Sequence, residues 1–252
     1  MESASEPPAS DGFQPRGRAW SPFRLDVPDL LRSARPISTR PIYHGSNHTF
    51  LVTLDAGADG RSFAVYKPVR GESPLYDFPD GTLYRRETAA WLLDALLGWQ
   101  LVPPTVIARG EYGIGSVQLF IESVNGGEVE VRELQRMALF DTIANNADRK
   151  PEHFLLTEAG KVWGIDHGLT FNAQPKLRTV LWHFSGEPIP EPELDDLRSL
   201  LRRLETRDSD RATQLSGLLA RHEWAALRSR VERLVAAGIF PDPRYKSVPY
   251  RW

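Results

Sequence analysis

The chain has 252 residues, 41% of them hydrophobic and 25% charged, with a formal net charge of −2 and no cysteine. This length can bury a substantial core, as one large domain or as two lobes. The balanced charge gives no general attraction for nucleic acid or an anionic membrane, and the lack of cysteine excludes disulfides, thiolate metal sites and cysteine nucleophiles.

Residues 1–19 are rich in Ser, Pro, Glu and Gly, show no periodicity and are expected to be disordered. They lack a basic region followed by an apolar one, so no signal peptide is expected. The most apolar stretch, residues 89–99, is too short to cross a membrane and contains Asp94. A cytoplasmic chain without integral membrane association is therefore the expectation.

Residues 21–35, with Leu25, Leu30 and Leu31, predict a short leading helix. From Pro41 the pattern turns to β. Strands are predicted at 49–54 and 62–67, flanking the Gly-containing loop 55–60. A Pro- and Gly-rich connector, 71–81, leads to a helix from Leu83 to Leu97, which Gly98 ends. Strands at 105–108 and 116–121 follow. Residues 123–127, with Asn125-Gly126-Gly127, interrupt all periodicity and read as a hinge.

Beyond the hinge the chain turns helical. Val131, Leu134, Ala138 and Leu139 mark a helix that runs into Asn145. Two short apolar runs, 154–156 and 162–165, surround a Gly-containing turn and predict a hairpin. A loop, 169–190, precedes helices marked by Leu194, Leu197, Leu201 and Leu204, then by Trp224, Leu227, Val231, Leu234 and Val235, the last stopped by Gly238 and Pro241. The layout is α+β with two lobes: residues 20–124 a small antiparallel β lobe with one helix, residues 125–252 a mainly helical lobe. A cleft is expected between them.

The central hairpin would bring Asp148 and Asp166, at its outer ends, to one mouth, a geometry suited to a divalent metal. Each aspartate alone also fits a turn-capping role. The run Asp148-Arg149-Lys150-Pro151-Glu152-His153 resembles the catalytic loop of the protein-kinase-like superfamily, and Asp166-His167-Gly168 stands where that superfamily has Asp-Phe-Gly. The Asp-Arg pair and the modest size make the chain similar to a bacterial family of uncharacterised proteins resembling phosphatidylinositol 3- and 4-kinases. The resemblance spans roughly residues 42–181 and is most specific at the centre.

What the resemblance implies is a protein-kinase-like fold and transfer of the γ-phosphate of ATP to a hydroxyl acceptor, with Mg²⁺ or Mn²⁺. Asp148 would position the acceptor and Lys150 neutralise phosphate charge, as catalytic residues; His153 and Asp166 would bind metal. Lys67 would grip the phosphates and Glu87 orient it, although an edge-strand lysine and a solvated glutamate read nearly as well. Ser46 and Asn47, in a small polar loop without Gly-x-Gly-x-x-Gly, would face the phosphates, and Gln118 to Glu122 would line the adenine.

The chain departs from the superfamily pattern at His153, in place of the metal-binding Asn, and at His167, in place of Phe. Imidazole suits Mn²⁺ or Zn²⁺ better than Mg²⁺. Two other functions stay open at this level. One is a nucleotide-binding pseudokinase without turnover. The other is a metal-dependent phosphohydrolase built on Asp148, His153, Asp166 and His167. The acceptor, whether protein, small molecule or lipid head group, is not legible, since the loop after Asp166 offers only Lys176 and Arg178 as cations.

Overall fold

The computed structural model describes residues 20–42, 47–207 and 209–242. The expected disorder of 1–19, Ser46 of the polar loop and the aromatic, basic tail from 243 onward lie outside these residues.

Helix α1 (Val27–Ser33) leads into a five-stranded antiparallel sheet built from β1 (Arg35–Ile42), β2 (Thr49–Asp55), β3 (Arg61–Pro68), β4 (Thr105–Gly110) and β5 (Gly113–Leu119). The spatial order is β1-β2-β3-β5-β4. The sequence pattern did not predict β1. Pro36 and Pro41 argue against a strand, but β1 lies at an edge, where missing N–H donors are tolerated, and the ladder slips between Pro36 and Ser38. The helix expected over 21–35 is accordingly shorter.

Alternation along β3 divides the sheet into two faces. Ala64 and Tyr66 join Val52, Leu54, Val117 and Leu119 in a core covered by Trp20, Val27 and Leu31. The opposite face carries Val65 and Lys67, with Leu51 and Gln118 directly across from Val65. Strands β3 and β5 approach closely at the lysine: a Cβ on Gly115 would collide with the Lys67 carbonyl and Pro68.

Helix α2 (Leu83–Leu97) connects β3 to β4 in sequence but buries its side chains in the helical core. It is buried almost all round, which explains why its apolar residues keep to no single face. The Glu72 carboxylate accepts the Leu83 and Tyr84 amides at 3.1 and 2.8 Å, satisfying the helix N-terminus from outside the helix. Gly98, at φ 73°, ends it.

The second half comprises α3 (Val131–Ala144), the hairpin β6 (Phe154–Leu156) and β7 (Val162–Gly164), α4 (Glu191–Thr206), α5 (Asp210–Leu218) and α6 (Arg221–Ala237). Helix α5 was also not predicted. Only Ala212 and Leu215 of it are buried, too few to set a period, and Ser209 caps its start. It packs on α2, where Arg85 Nη2 donates to the Gly217 carbonyl at 2.8 Å. Inside the helices, the buried Arg86 of α2 pairs with Glu223 of α6 at 2.6 Å and also donates to the Thr170 carbonyl at 2.6 Å.

The two halves meet at the hinge, where the Val124 amide donates to Leu156, and beneath the sheet, where the Gly164 amide donates to Leu101. Helix α2, bonded to α5 and α6, ties them as well, and the connector adds a further link. It starts beside the polar loop, with the His48 amide on the Gly71 carbonyl and the Ser73 amide on Asn47 Oδ1 at 2.7 Å. Further along, Asp77 pairs with Lys176 at 2.7 Å and its carbonyl accepts Asn172 Nδ2 at 2.7 Å. Among the described residues no helix is long and apolar enough to cross a membrane.

Candidate active site

Helix α3 ends at Asn145, whose backbone turns left-handed at φ 52°. Asparagine adopts this conformation more readily than most residues. Its side chain also organises the loop after the hairpin: Nδ2 donates to the Asn172 and Gln174 carbonyls, and Oδ1 accepts the Lys176 amide. The next residue, Asn146, is fully buried. Its Oδ1 accepts the Asp148 amide at 3.0 Å, fixing the turn that presents Asp148. Lys150 Nζ lies 2.9 Å from Asp148 Oδ2.

From the other half, Lys67 reaches down from β3. Its ammonium touches Glu87 of α2 and lies 2.9 Å from Asp166 Oδ1. Burial alone would lower the lysine pKa, but Asp166 and Glu87 outweigh it and the net shift is well upward. Asp166 is held well below the usual carboxylate range, chiefly by Lys67. About half of its side chain stays open to solvent (51%), which screens the pairing. Glu87 also accepts the His167 amide at 3.0 Å, so one buried carboxylate holds both the lysine and the turn that carries Asp166.

Asp166 sits at φ +60°, a left-handed conformation that costs a residue other than Gly about 1–2 kcal/mol. Its second oxygen lies 3.4 Å from His153 Nε2. Burial lowers the His153 pKa from its ordinary value, with Asp166 opposing. Two ligands of one metal stand about 3 Å apart, so this nitrogen and oxygen fit a shared ion. Among the described residues no group of three or more His, Asp or Glu is placed to hold a metal ion, so this pair would need further donors of another kind.

His167 has a different place. It is fully buried, edge-on to Phe140, with Nε2 2.8 Å from Arg149 Nη2. A guanidinium only donates, so Nε2 must accept and the ring is neutral, consistent with a pKa driven well below its ordinary value by burial and then by Arg149. The four-residue hydrolase centre is therefore not assembled: His167 is occupied behind the site.

Sequence reasoning used Arg149 as a mark of resemblance and gave it no role at the site. Fully buried, it pairs with the equally buried Asp141 of α3 at 2.9 Å and donates to the Ile165 carbonyl at 3.0 Å. Asp141 also accepts from Asn146 and Thr179. The one sequence signal was its place beside Asp148.

The structure thus brings Lys67, Glu87, Asp166 and His153 together in one chain of contacts, with the Asp148–Lys150 pair on the adjoining loop. Asn47 is tied to the connector. Gln118 lies across from Val65 in the sheet, its Nε2 donating to Thr105 Oγ1 at 2.9 Å, and Glu122 is exposed just past β5.

No family model matches the chain. Protein Rv2133c from Mycobacterium tuberculosis is 37% identical over 252 residues, covering 83% of this chain and 89% of the relative. Phosphatidylinositol 4-kinase gamma 4 from Oryza sativa subsp. japonica is 34% identical over 110 residues, which is 33% of this chain and 19% of that protein. Among solved structures, the Golgi casein kinase with Mn/ADP bound superposes with a TM-score of 0.60 at 14% identity, covering 84% of this chain and 74% of the other. The fold is the two-lobed protein-kinase-like fold.

Proposed function

We propose, from the premise that this chain belongs to the family of Protein Rv2133c, that it is an ATP-dependent phosphotransferase, an atypical kinase acting on a hydroxyl acceptor. The observation that carries this reading is the three-way contact of Lys67 with Glu87 and Asp166, beside the Asp148–Lys150 pair. Phosphoryl transfer needs positioned cations and carboxylates around a crowded polyphosphate rather than covalent help from the protein. The local likeness to a phosphatidylinositol 4-kinase and the fold shared with a Mn/ADP-bound casein kinase support the same chemistry.

In this reading Lys67, oriented by Glu87, holds phosphate oxygens. Leu51 and Val65 roof the base, and the stretch from Gln118 to Glu122 lines it. Asn47 faces the phosphates. Asp148 orients the acceptor hydroxyl and takes its proton, while Lys150 offsets charge on the group in transit. His153 and Asp166 would hold a divalent ion, which supplies charge neutralisation between phosphates. The mixed nitrogen and oxygen pair suits Mn²⁺ at least as well as Mg²⁺. The acceptor is a hydroxyl of a protein, a small molecule or a lipid head group.

Thermal unfolding with ATP and Mn²⁺ or Mg²⁺ tests this. Ligand at one hundred times its dissociation constant should add about 2.7 kcal/mol. Asp148→Asn should keep that shift and lose ATP turnover. Absence of any nucleotide-dependent shift overturns the reading, and a shift without turnover in the wild type favours the pseudokinase.

A further inference from the structure

Asp166 is gripped on both sides by one buried arginine. Arg149 Nη1 donates to the carbonyl of Ile165, the residue before it, and Nη2 meets the ring of His167, the residue after it. The guanidinium is itself fixed by Asp141. Three further bonds complete the frame: the Ile165 amide on the His153 carbonyl, the His167 amide on Glu87, and Thr170 Oγ1 on the His167 carbonyl. Between these anchors Asp166 turns left-handed and points its carboxylate at Lys67 and His153.

We propose that Arg149 and His167 are positioning residues that clamp the backbone on either side of Asp166 and so aim its carboxylate into the cleft. His167 then has a purpose that Phe could not serve. A phenyl ring would fill the same space against Phe140 but would leave Arg149 Nη2 facing a group that cannot accept. The buried imidazole offers a lone pair at Nε2, and its Nδ1 is without a hydrogen-bond partner. Only the lone pair is therefore used. This rests on the reading of Asp166 as a metal-binding carboxylate.

The test compares His167→Phe, which keeps an aromatic ring and removes the acceptor, with His167→Gln, which restores a carbonyl oxygen. Hydrogen exchange is read on the nucleotide-free chain at the amides of 165–168. In His167→Phe we expect exchange at these amides to rise about tenfold or more, with those of the β6–β7 hairpin unchanged. The Mn²⁺ concentration for half-maximal thermal shift at fixed ATP should rise about tenfold, the usual scale for a lost outer contact. His167→Gln should bring both within about threefold of wild type. Unchanged exchange in His167→Phe, or raised exchange with an unchanged Mn²⁺ requirement, overturns the clamp. If the wild type shows no shift with ATP and Mn²⁺, the phosphotransferase reading falls while exchange still decides the clamp. Should His167→Phe fail to fold, the imidazole nitrogen resonances of the wild type decide it: a proton on Nδ1 supports the clamp and a proton on Nε2 overturns it.

Discussion

Lys67 Nζ lies 2.9 Å from Asp166 Oδ1, a contact between β3 and the turn after the hairpin. Because Asp166 is half exposed and Lys67 keeps Glu87 as a second partner, the contact adds little to folding. Asp166→Asn, which tolerates the left-handed backbone, should lower the stability of the free chain by no more than about 1 kcal/mol. The same change should weaken the Mn²⁺-dependent part of ATP binding about tenfold or more. Calorimetric titration beside a melting curve separates the two effects. A large loss of stability with unchanged metal dependence would make Asp166 a structural residue.

Asp94, in the last turn of α2, ties the helix to the following chain. Its Oδ2 accepts the Leu101 and Val102 amides at 2.8 and 2.9 Å, and its Oδ1 is buried without a partner. Burial pushes its pKa up to about 7 from 3.8, against the pull of those two amides. The folded state therefore prefers the protonated carboxyl. This contribution is fully present below the unfolded pKa and is lost as pH rises through about 7. Asp94→Asn keeps an acceptor for both amides and removes the charge. It should raise stability at pH 8, by up to about 4 kcal/mol, and progressively less toward pH 4. Equal melting temperatures for the two proteins at pH 8 would mean that the buried charge is already compensated.

The Arg86–Glu223 pair links α2 to α6 with both side chains buried, and Glu223 also accepts the Ala220 amide at the start of α6. Removing one partner strands the other charge. Glu223→Ala should cost about 3–5 kcal/mol, or roughly 10 °C in melting temperature. Arg198→Ala, which breaks exposed pairs with Glu191 and Asp195, should melt close to wild type. Similar losses for both variants would show that burial does not set the difference.

The parts of the fold that the sequence made legible are those whose signals are local. Helix α2 is bounded as predicted because Gly98 takes a left-handed turn that only its own position requires, and the β6–β7 hairpin is announced by apolar runs around a turn. Strand β1 was hidden by its prolines, since only pairing with β2 makes Arg35–Ile42 extended. Helix α5 was hidden because two buried residues carry no period. At the site, Lys67 and Glu87 were legible from strand and helix positions and do meet. Arg149 was not, because a loop arginine reads as solvated until Asp141 and His167 close around it. The same enclosure accounts for His167, which stands beside Asp166 in sequence yet serves the arginine behind it.

The connector changes how the two lobes can move. A molecule joined only at 123–127 could gape like a book about its spine. Here the front edge is stitched as well, from Asn47 through Ser73 to Asp77, and from there to Asn172, Lys176 and Asn145. Helix α2 fastens the same halves through Arg86 to Glu223 and Arg85 to Gly217, so any widening of the mouth strains these bonds together with those of Asp77.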